Sequence, residues 1–310
     1  MGRRVAGVGE RGIVFDVKRF ALHDGPGTRT TVFFKGCPMA CRWCHNPESQ
    51  ESRPQLAYGR IRCLAGCHRC VKVCPEAALV ADGPHIRIRR DLCTLCRDCL
   101  PVCPSEALEV IGREVMVEEL LAEVERDVVF FDESGGGVTV SGGEPLLQPE
   151  FLDSLVTICR EKGIPTVLDT CGYAPFPVLK KIALKADLIL FDVKIVDGRA
   201  HRLFTGVSNR LILKNLRALS ALIDNIVVRV PLIPGMTDSP NQLKEMAEFL
   251  LSLRRVRRIS LLNFHRGGQN KYGKIGRVDP IPGVRPLPDE RLDSIRKEFE
   301  ALGFDVQIGG

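Results

Sequence analysis

The stretch Lys35–Glu48, KGCPMACRWCHNPE, carries three cysteines within eight residues. Cys37, Cys41 and Cys44 follow a C-x3-C-x2-C spacing, and no fourth cysteine stands beside them. Just before them Thr30–Lys35, TTVFFK, is a β-branched and aromatic run that reads as a strand feeding the cysteine loop. Three clustered thiolates suit an iron–sulfur cube. A [4Fe–4S] cube needs four ligands, so one iron would stay open, as catalytic metal sites keep a position for substrate.

The rest of the cysteine pattern supports iron. Eleven of the 13 cysteines fall between Cys37 and Cys103, and only Cys159 and Cys171 lie outside. An odd number, tightly grouped, points to metal ligation in a reducing compartment and not to disulfides. Cys93, Cys96, Cys99 and Cys103, followed by Pro104, form the C-x2-C-x2-C-x3-C-P run of two-cluster bacterial ferredoxins. In that run three cysteines hold one cube and the fourth reaches across to a second. Cys63, Cys67, Cys70 and Cys74, followed by Pro75, repeat it 29 residues earlier, with three residues instead of two after Cys63. The expected ligand sets are therefore Cys63, Cys67, Cys70 and Cys103 for one cluster, and Cys93, Cys96, Cys99 and Cys74 for the other. The alternative is a pair of four-thiolate zinc sites, which the prolines and the C-x3-C-P spacing disfavour.

Beyond Gly137 strand-like and helix-like stretches alternate. GGVTV, PTVLDT, DLILFDVK, NIVVRVPL, RISLLN and FDVQI read as strands, with helical patterns between them such as Pro149–Gly163 and Ser239–Leu253. That alternation implies an α/β fold, a parallel sheet with crossover helices in the form of a partial (β/α) barrel. The polar motifs fall at strand C-termini, where such sheets place their sites. SGGEP (Ser141–Pro145) lets a ligand approach bare backbone, or is an ordinary strand-to-helix turn. Asp169 and Thr170 end one strand and Asp192 and Lys194 the next, a pairing that suits a cation, a charged ligand or a structural salt bridge.

Taken together, Gly12–Ser49, Ser134–Gln148 and Leu190–Gly206 resemble the glycyl radical enzyme activating enzymes of the radical S-adenosylmethionine (radical SAM) superfamily. The resemblance runs from about Gly12 to about Gly276. It implies a radical SAM core in residues 1–52 and 113–310, interrupted at 53–112 by a ferredoxin-like insert with two [4Fe–4S] clusters. The SAM-binding cluster, the third, is implied at Cys37, Cys41 and Cys44. Implied SAM contacts are Trp43, Cys44 and His45, the GGE motif Gly142, Gly143 and Glu144, then Asp192, Val193 and Lys194, and finally Arg229 and His265. A monovalent-cation site is implied at Asp169, Thr170, Asp192 and the Leu190 carbonyl.

The activity implied is reductive cleavage of SAM and abstraction of a hydrogen atom from a backbone glycine of a partner, a glycyl radical enzyme. Reduced flavodoxin or ferredoxin would supply the electron, relayed through the insert. The loop after Lys194, IVDGRAHRLFTGVSN, is the expected guide for the glycine-bearing peptide, and the Gly/Pro-rich stretch Arg266–Pro288 is long enough to cover the barrel mouth. A radical SAM enzyme acting on a small molecule would share the cluster and barrel but not the HRLFTGVSN segment. A pure electron carrier would explain only eight of the cysteines. The net charge of +6 is mild and scattered, which reads as a weak preference for an acidic partner surface or as ordinary solvated charge, and no nucleic-acid partner is expected. No 18-residue apolar run or signal-like h-region is present, so a cytoplasmic protein without a membrane partner is expected.

Overall fold

A computed structural model describes residues 9–309, leaving most of the basic opening stretch read for signals, and Gly310, outside the described residues. The chain starts with strand β1 (Arg11–Ala21), which turns back on β2 (Arg29–Phe34) as an antiparallel pair. Five of the six residues of β2 are buried, because the sheet continues on both sides of it. The cysteine loop leaves its C-terminal end.

Next comes the segment expected as an insert. It contains β3 (Gln55–Tyr58), the hairpin β4 (Leu79–Asp82) and β5 (His85–Ile88), and β6 (Leu108–Ile111), which returns antiparallel to β3. Leu56, Cys70, Leu79, Ile86, Cys99 and Leu108 form an apolar cluster of their own, separate from the main core. Entry and exit of this unit abut. A Cβ on Gly112 would lie 2.5 Å from the Lys35 side chain and 3.2 Å from Pro54 Cα.

From β7 (Arg113–Met116), antiparallel to β1, the chain enters the repeating part. Strands β8 (Gly137–Gly142), β9 (Thr166–Thr170), β10 (Leu188–Asp192), β11 (Ile226–Leu232), β12 (Arg258–Asn263) and β13 (Asp305–Ile308) lie parallel to one another, and β8 lies parallel to β2. The spatial order is β13-β12-β11-β10-β9-β8-β2-β1-β7, an open, mostly parallel sheet with β13 and β7 as edges. Helices cross over between strands. In Pro149–Glu161 proline sits in the first turn and Phe151, Leu152, Leu155, Val156 and Cys159 form the buried face, so Cys159 is a core residue. Pro240–Leu251 starts where Ser239 accepts the Gln242 amide at 3.3 Å. No described helix is long and apolar enough to cross a membrane.

Two expectations about connections change. The loop after Lys194 contains a helix, Gly198–Thr205, capped by Asp197 and ended by left-handed Gly206. It props the cysteine loop: the Ala40 and Arg42 amides donate to the carbonyls of Thr205 and Phe204 at 2.8 and 3.0 Å. The Gly/Pro-rich stretch also begins with a helix, Gln269–Lys274. That helix packs on the outside of the cysteine loop, where Lys271 Nζ meets Glu48 Oε1 and Asn46 Oδ1, each at 2.8 Å.

Candidate functional site

The C-terminal ends of the parallel strands and the cysteine loop surround one cavity, with about 1150 Å³ of space counting its open mouth. Its wall runs from Phe33 of β2 through Ser141, Asp169, Asp192 and Arg229 to Leu262 of β12. A flat sheet could not bring its second and twelfth strands to one cavity, so the sheet curves. Cys37, Cys41 and Cys44 face this space together with Trp43 and His45. No residue of Arg266–Pro288 lines it, so that stretch clamps the cysteine loop from behind and does not cover the mouth.

Burial raises all three thiols, Cys41 to about 12, because a bare thiolate loses its hydration here. Lys194 opposes this at Cys41 and Cys44. A bound metal, which deprotonates a coordinating thiol outright, removes the difficulty. The donor set, three thiols on the wall of a cavity, fits an iron–sulfur cluster with one corner facing the space.

Opposite the thiols is a buried ion network. Arg229 bridges two carboxylates, pairing with Asp169 through Nη2 and with Asp192 through Nε at 2.7 Å. Lys194 Nζ reaches Asp192 Oδ2 at 3.0 Å, and Ser141 Oγ donates to Asp169 Oδ2 at 2.6 Å. Burial works to raise the Asp192 carboxyl, but Arg229 and Lys194 outweigh it and hold the group at about 2. At Asp169 burial prevails and the group stays above its ordinary value. The network offers a ligand both charges at fixed positions.

Of the four residues expected to hold a cation, Asp169, Thr170 and Asp192 line this cavity, and Leu190 pairs with Asp169 across β10 and β9. Both carboxylates are engaged by Arg229, and the Thr170 hydroxyl turns away to donate to Glu144 Oε1 at 2.6 Å. Leu190 is buried in mid-β10.

The GGE motif divides. Gly142 and Gly143 line the cavity, and neither tolerates a side chain. Gly142 has φ +120°, and a Cβ on Gly143 would lie 2.1 Å from the Gly36 carbonyl oxygen. Glu144, expected at a ligand, instead points into the fold with no exposed surface. Its carboxylate accepts from Thr170 Oγ1, from the backbone amides of Leu146 and Cys171, and from the Cys171 thiol.

Val193 and His265 also depart from expectation. Val193 is buried off the cavity, with its amide bonded to the Arg229 carbonyl at 3.0 Å. The His265 ring lies against His45, centroids 3.9 Å apart and planes tilted by 37°, outside the wall, and His45 Nε2 lies 3.1 Å from the His265 carbonyl. His265 thus holds His45, whose burial lowers its pKa to about 4 and keeps the ring neutral.

In the insert, Cys63, Cys67, Cys70 and Cys103 line one small cavity, and Cys74, Cys93, Cys96 and Cys99 another. The two repeats match in detail. The Ala78 amide donates to Cys74 Sγ at 3.3 Å and the Ala107 amide to Cys103 Sγ at 3.2 Å. Ala77 and Glu106, each three residues beyond its cysteine, are left-handed. Burial works to raise Cys103, but the amides of Leu108, Ala107 and Ser105 outweigh it and lower the thiol. Leu95 and Arg97 are left-handed too, a backbone pattern that turns amides inward around an anion.

The pattern of the Radical SAM superfamily matches residues 31–250. Trans-4-hydroxy-L-proline dehydratase activating enzyme of Clostridioides difficile is 42% identical over 301 residues, covering 96% of this chain and 99% of that protein. (2S)-3-sulfopropanediol sulfolyase activating enzyme of Bilophila wadsworthia (strain 3_1_6) is 42% identical, covering 94% and 98%. (2S)-3-sulfopropanediol dehydratase activating enzyme of Klebsiella oxytoca is 41% identical, covering 96% and 97%. The chain belongs to the glycyl radical enzyme activating enzymes of the radical SAM superfamily.

Several wall residues of this activating enzyme escape sequence reasoning. Phe33, Pro231 and Leu262 lie on strands covered on both faces, where apolar residues do not alternate with polar ones and periodicity cannot name the cavity side. Cys171 also lines the cavity. Its place directly after Asp169 and Thr170 was the available signal, but a lone cysteine carries no chemistry of its own in a sequence.

Proposed function

We propose that this activating enzyme binds SAM in the cavity between Cys37, Cys41 and Cys44 and the Asp192–Arg229–Lys194 network, and converts a backbone glycine of a glycyl radical enzyme into a glycyl radical. The observation that carries the reading is that shared cavity, three thiols on one wall and fixed charges of both signs on the other. When bound, the cluster and SAM supply a reductive cleavage that abstracts a glycine Cα hydrogen and leaves methionine and 5′-deoxyadenosine. Lys194 and Arg229 provide positive charge for the SAM carboxylate, and Asp192 provides negative charge for the ammonium or, once a ligand loosens Arg229, for a monovalent cation. Gly142 and Gly143 leave bare backbone for the methionyl end, and Trp43 and His45 flank the adenine.

The insert is read as two further [4Fe–4S] clusters, one on Cys63, Cys67, Cys70 and Cys103 and one on Cys74, Cys93, Cys96 and Cys99, giving three in all. In support, each set of four cysteines lines its own small cavity, and each repeat ends in the cysteine–proline spacing of two-cluster ferredoxins. Reduced flavodoxin or ferredoxin is the proposed donor, in the cytoplasm, with no nucleic-acid or membrane partner.

The test is anaerobic reconstitution, reduction, and incubation with SAM and a candidate partner. A doublet glycyl signal in electron paramagnetic resonance (EPR), with 5′-deoxyadenosine formed alongside, is expected. Deoxyadenosine without the doublet for every partner tried would assign a small-molecule substrate instead.

A further inference from the structure

The two cysteine groups of the insert are not equivalent in position. Strands β3 and β6 form its stalk, attached to the core at the Gln55–Ile111 end. The Cys74, Cys93, Cys96 and Cys99 cavity is lined by Leu56 and Val110, near that attachment. The Cys63, Cys67, Cys70 and Cys103 cavity is lined by Tyr58 and Leu108, two residues or about 7 Å further out. Cys93 also opens to a groove shared with Ile275 and Arg277 of the core, and Arg90 crosses that groove to the Lys274 carbonyl. One group therefore faces the core and the other faces away from it.

The outward group has an unusual cover. Ile61 is 100% exposed and Leu64 53%, which places apolar side chains in solvent beside Cys63, and Val73, 38% exposed, ends the short helix that carries Cys70. From Gly59 to Cys74 the chain carries Arg60, Arg62, Arg69 and Lys72 and no acidic residue. Only Arg62 of these forms an ion pair among the described residues, with Glu109. Cys96 offers a rival entry point, since its thiol is exposed, but its neighbours Arg97 and Asp98 carry opposite charges, and no large apolar side chain between Cys93 and Cys103 is exposed as Ile61 and Leu64 are. Exposed apolar side chains on a segment whose only charges are positive match a protein with an acidic rim.

We infer that the Arg60–Val73 face is the docking surface for an acidic one-electron donor protein, which delivers its electron to the outward cysteine group. This rests on the reading of the insert as two clusters. The donor loses one electron and the insert gains it; no bond forms or breaks.

The probe is an acidic flavodoxin titrated calorimetrically into reconstituted enzyme without SAM or partner, at low and moderate salt. Arg60→Glu with Lys72→Glu is expected to weaken binding roughly tenfold and to flatten its salt dependence. Ile61→Ser weakens it while leaving the salt dependence unchanged. Iron content, EPR signals and dithionite-driven SAM cleavage stay at wild-type level in both, which separates lost docking from lost folding. Unchanged affinity in these variants overturns the inference, as does equal weakening by Thr94→Glu with Arg97→Glu beside Cys96. Failure to form any glycyl radical with intact flavodoxin binding would count against the proposed function and leave the docking face standing.

Discussion

Glu144 and Cys171 are bonded twice: the Cys171 thiol and the Cys171 backbone amide both donate to Glu144 Oε2, at 2.8 and 2.9 Å. This ties the end of β8 to the end of β9 directly beneath the cavity. The carboxyl is fully buried and bonded by neutral donors alone, and burial outweighs them and raises its pKa, so it acts within the fold. Glu144→Gln replaces one acceptor by a donor that faces existing donors. An anaerobic denaturant titration is expected to show a loss of about 2 kcal/mol, similar with and without SAM. A loss of SAM affinity with unchanged stability would contradict this placement.

Arg229 is the shared counter-ion of Asp169 and Asp192. Arg229→Met leaves two carboxylates facing each other without it. Breaking a buried network from one side costs about 3–5 kcal/mol, so this variant is expected to be less stable than Glu144→Gln. Arg229→Lys restores charge but cannot reach both partners, and recovers part of that stability. Thermal denaturation orders the parent protein and the two Arg229 variants.

Gly143→Ala would drive a methyl group against the Gly36 carbonyl, at the entrance to the cysteine loop. The loop must shift, and with it Cys37. The expected result is selective: the EPR signal that responds to added SAM disappears, while the signals of the insert remain. Full retention of the SAM-responsive signal would show that the loop tolerates the displacement.

Asp127 anchors the first hairpin. Buried against β2, it accepts from Thr30 Oγ1 at 2.6 Å and pairs with Arg19 of β1. Burial acts to raise its pKa, yet the bonds from Arg19 and Thr30 lower it below 3.8. A depressed folded value means stability that is complete above the ordinary carboxylate range and lost as pH falls below about 3.8. Asp127→Asn is expected to be less stable near neutrality by about 1–2 kcal/mol, with a smaller further loss on acidification. Denaturation midpoints across that acid range check it.

Cys96→Ala combined with Cys99→Ala removes two thiols from the inward group while leaving the SAM cavity intact. SAM binding should persist, and SAM cleavage driven by flavodoxin should slow sharply. An unchanged rate in a folded variant would reduce the insert to a structural staple.

The framework of the site was legible because its chemistry is local in sequence. Cys37, Cys41 and Cys44 leave a strand whose β-branched run is unmistakable, and Gly142, Asp169 and Asp192 each stand at or one residue from a strand end that the alternation already marks. Side-chain direction was not legible. Glu144 follows two glycines, whose freedom permits either orientation, and the donors of Thr170 and Cys171 at the end of β9, with the nearby Leu146 amide, turn it inward. The same holds for the cation set: Asp169 and Asp192 were foreseen as neighbours, but the guanidinium that spans them comes from 37 residues beyond Asp192. Helix Gln269–Lys274 was hidden by the glycines and proline around it, since its stability comes from Glu48 and Asn46 and not from its own composition.

The meeting of Gly112 with Pro54 over Lys35 makes the insert a cassette with a single hinge point. Splicing the chain across that point would remove none of the nine strands of the main sheet, so the whole segment could be added or discarded without redesigning the housing of the cavity. A shortened chain joined there should retain its far-ultraviolet dichroism and one SAM-responsive centre, and would then depend on a reductant that reaches that centre unaided.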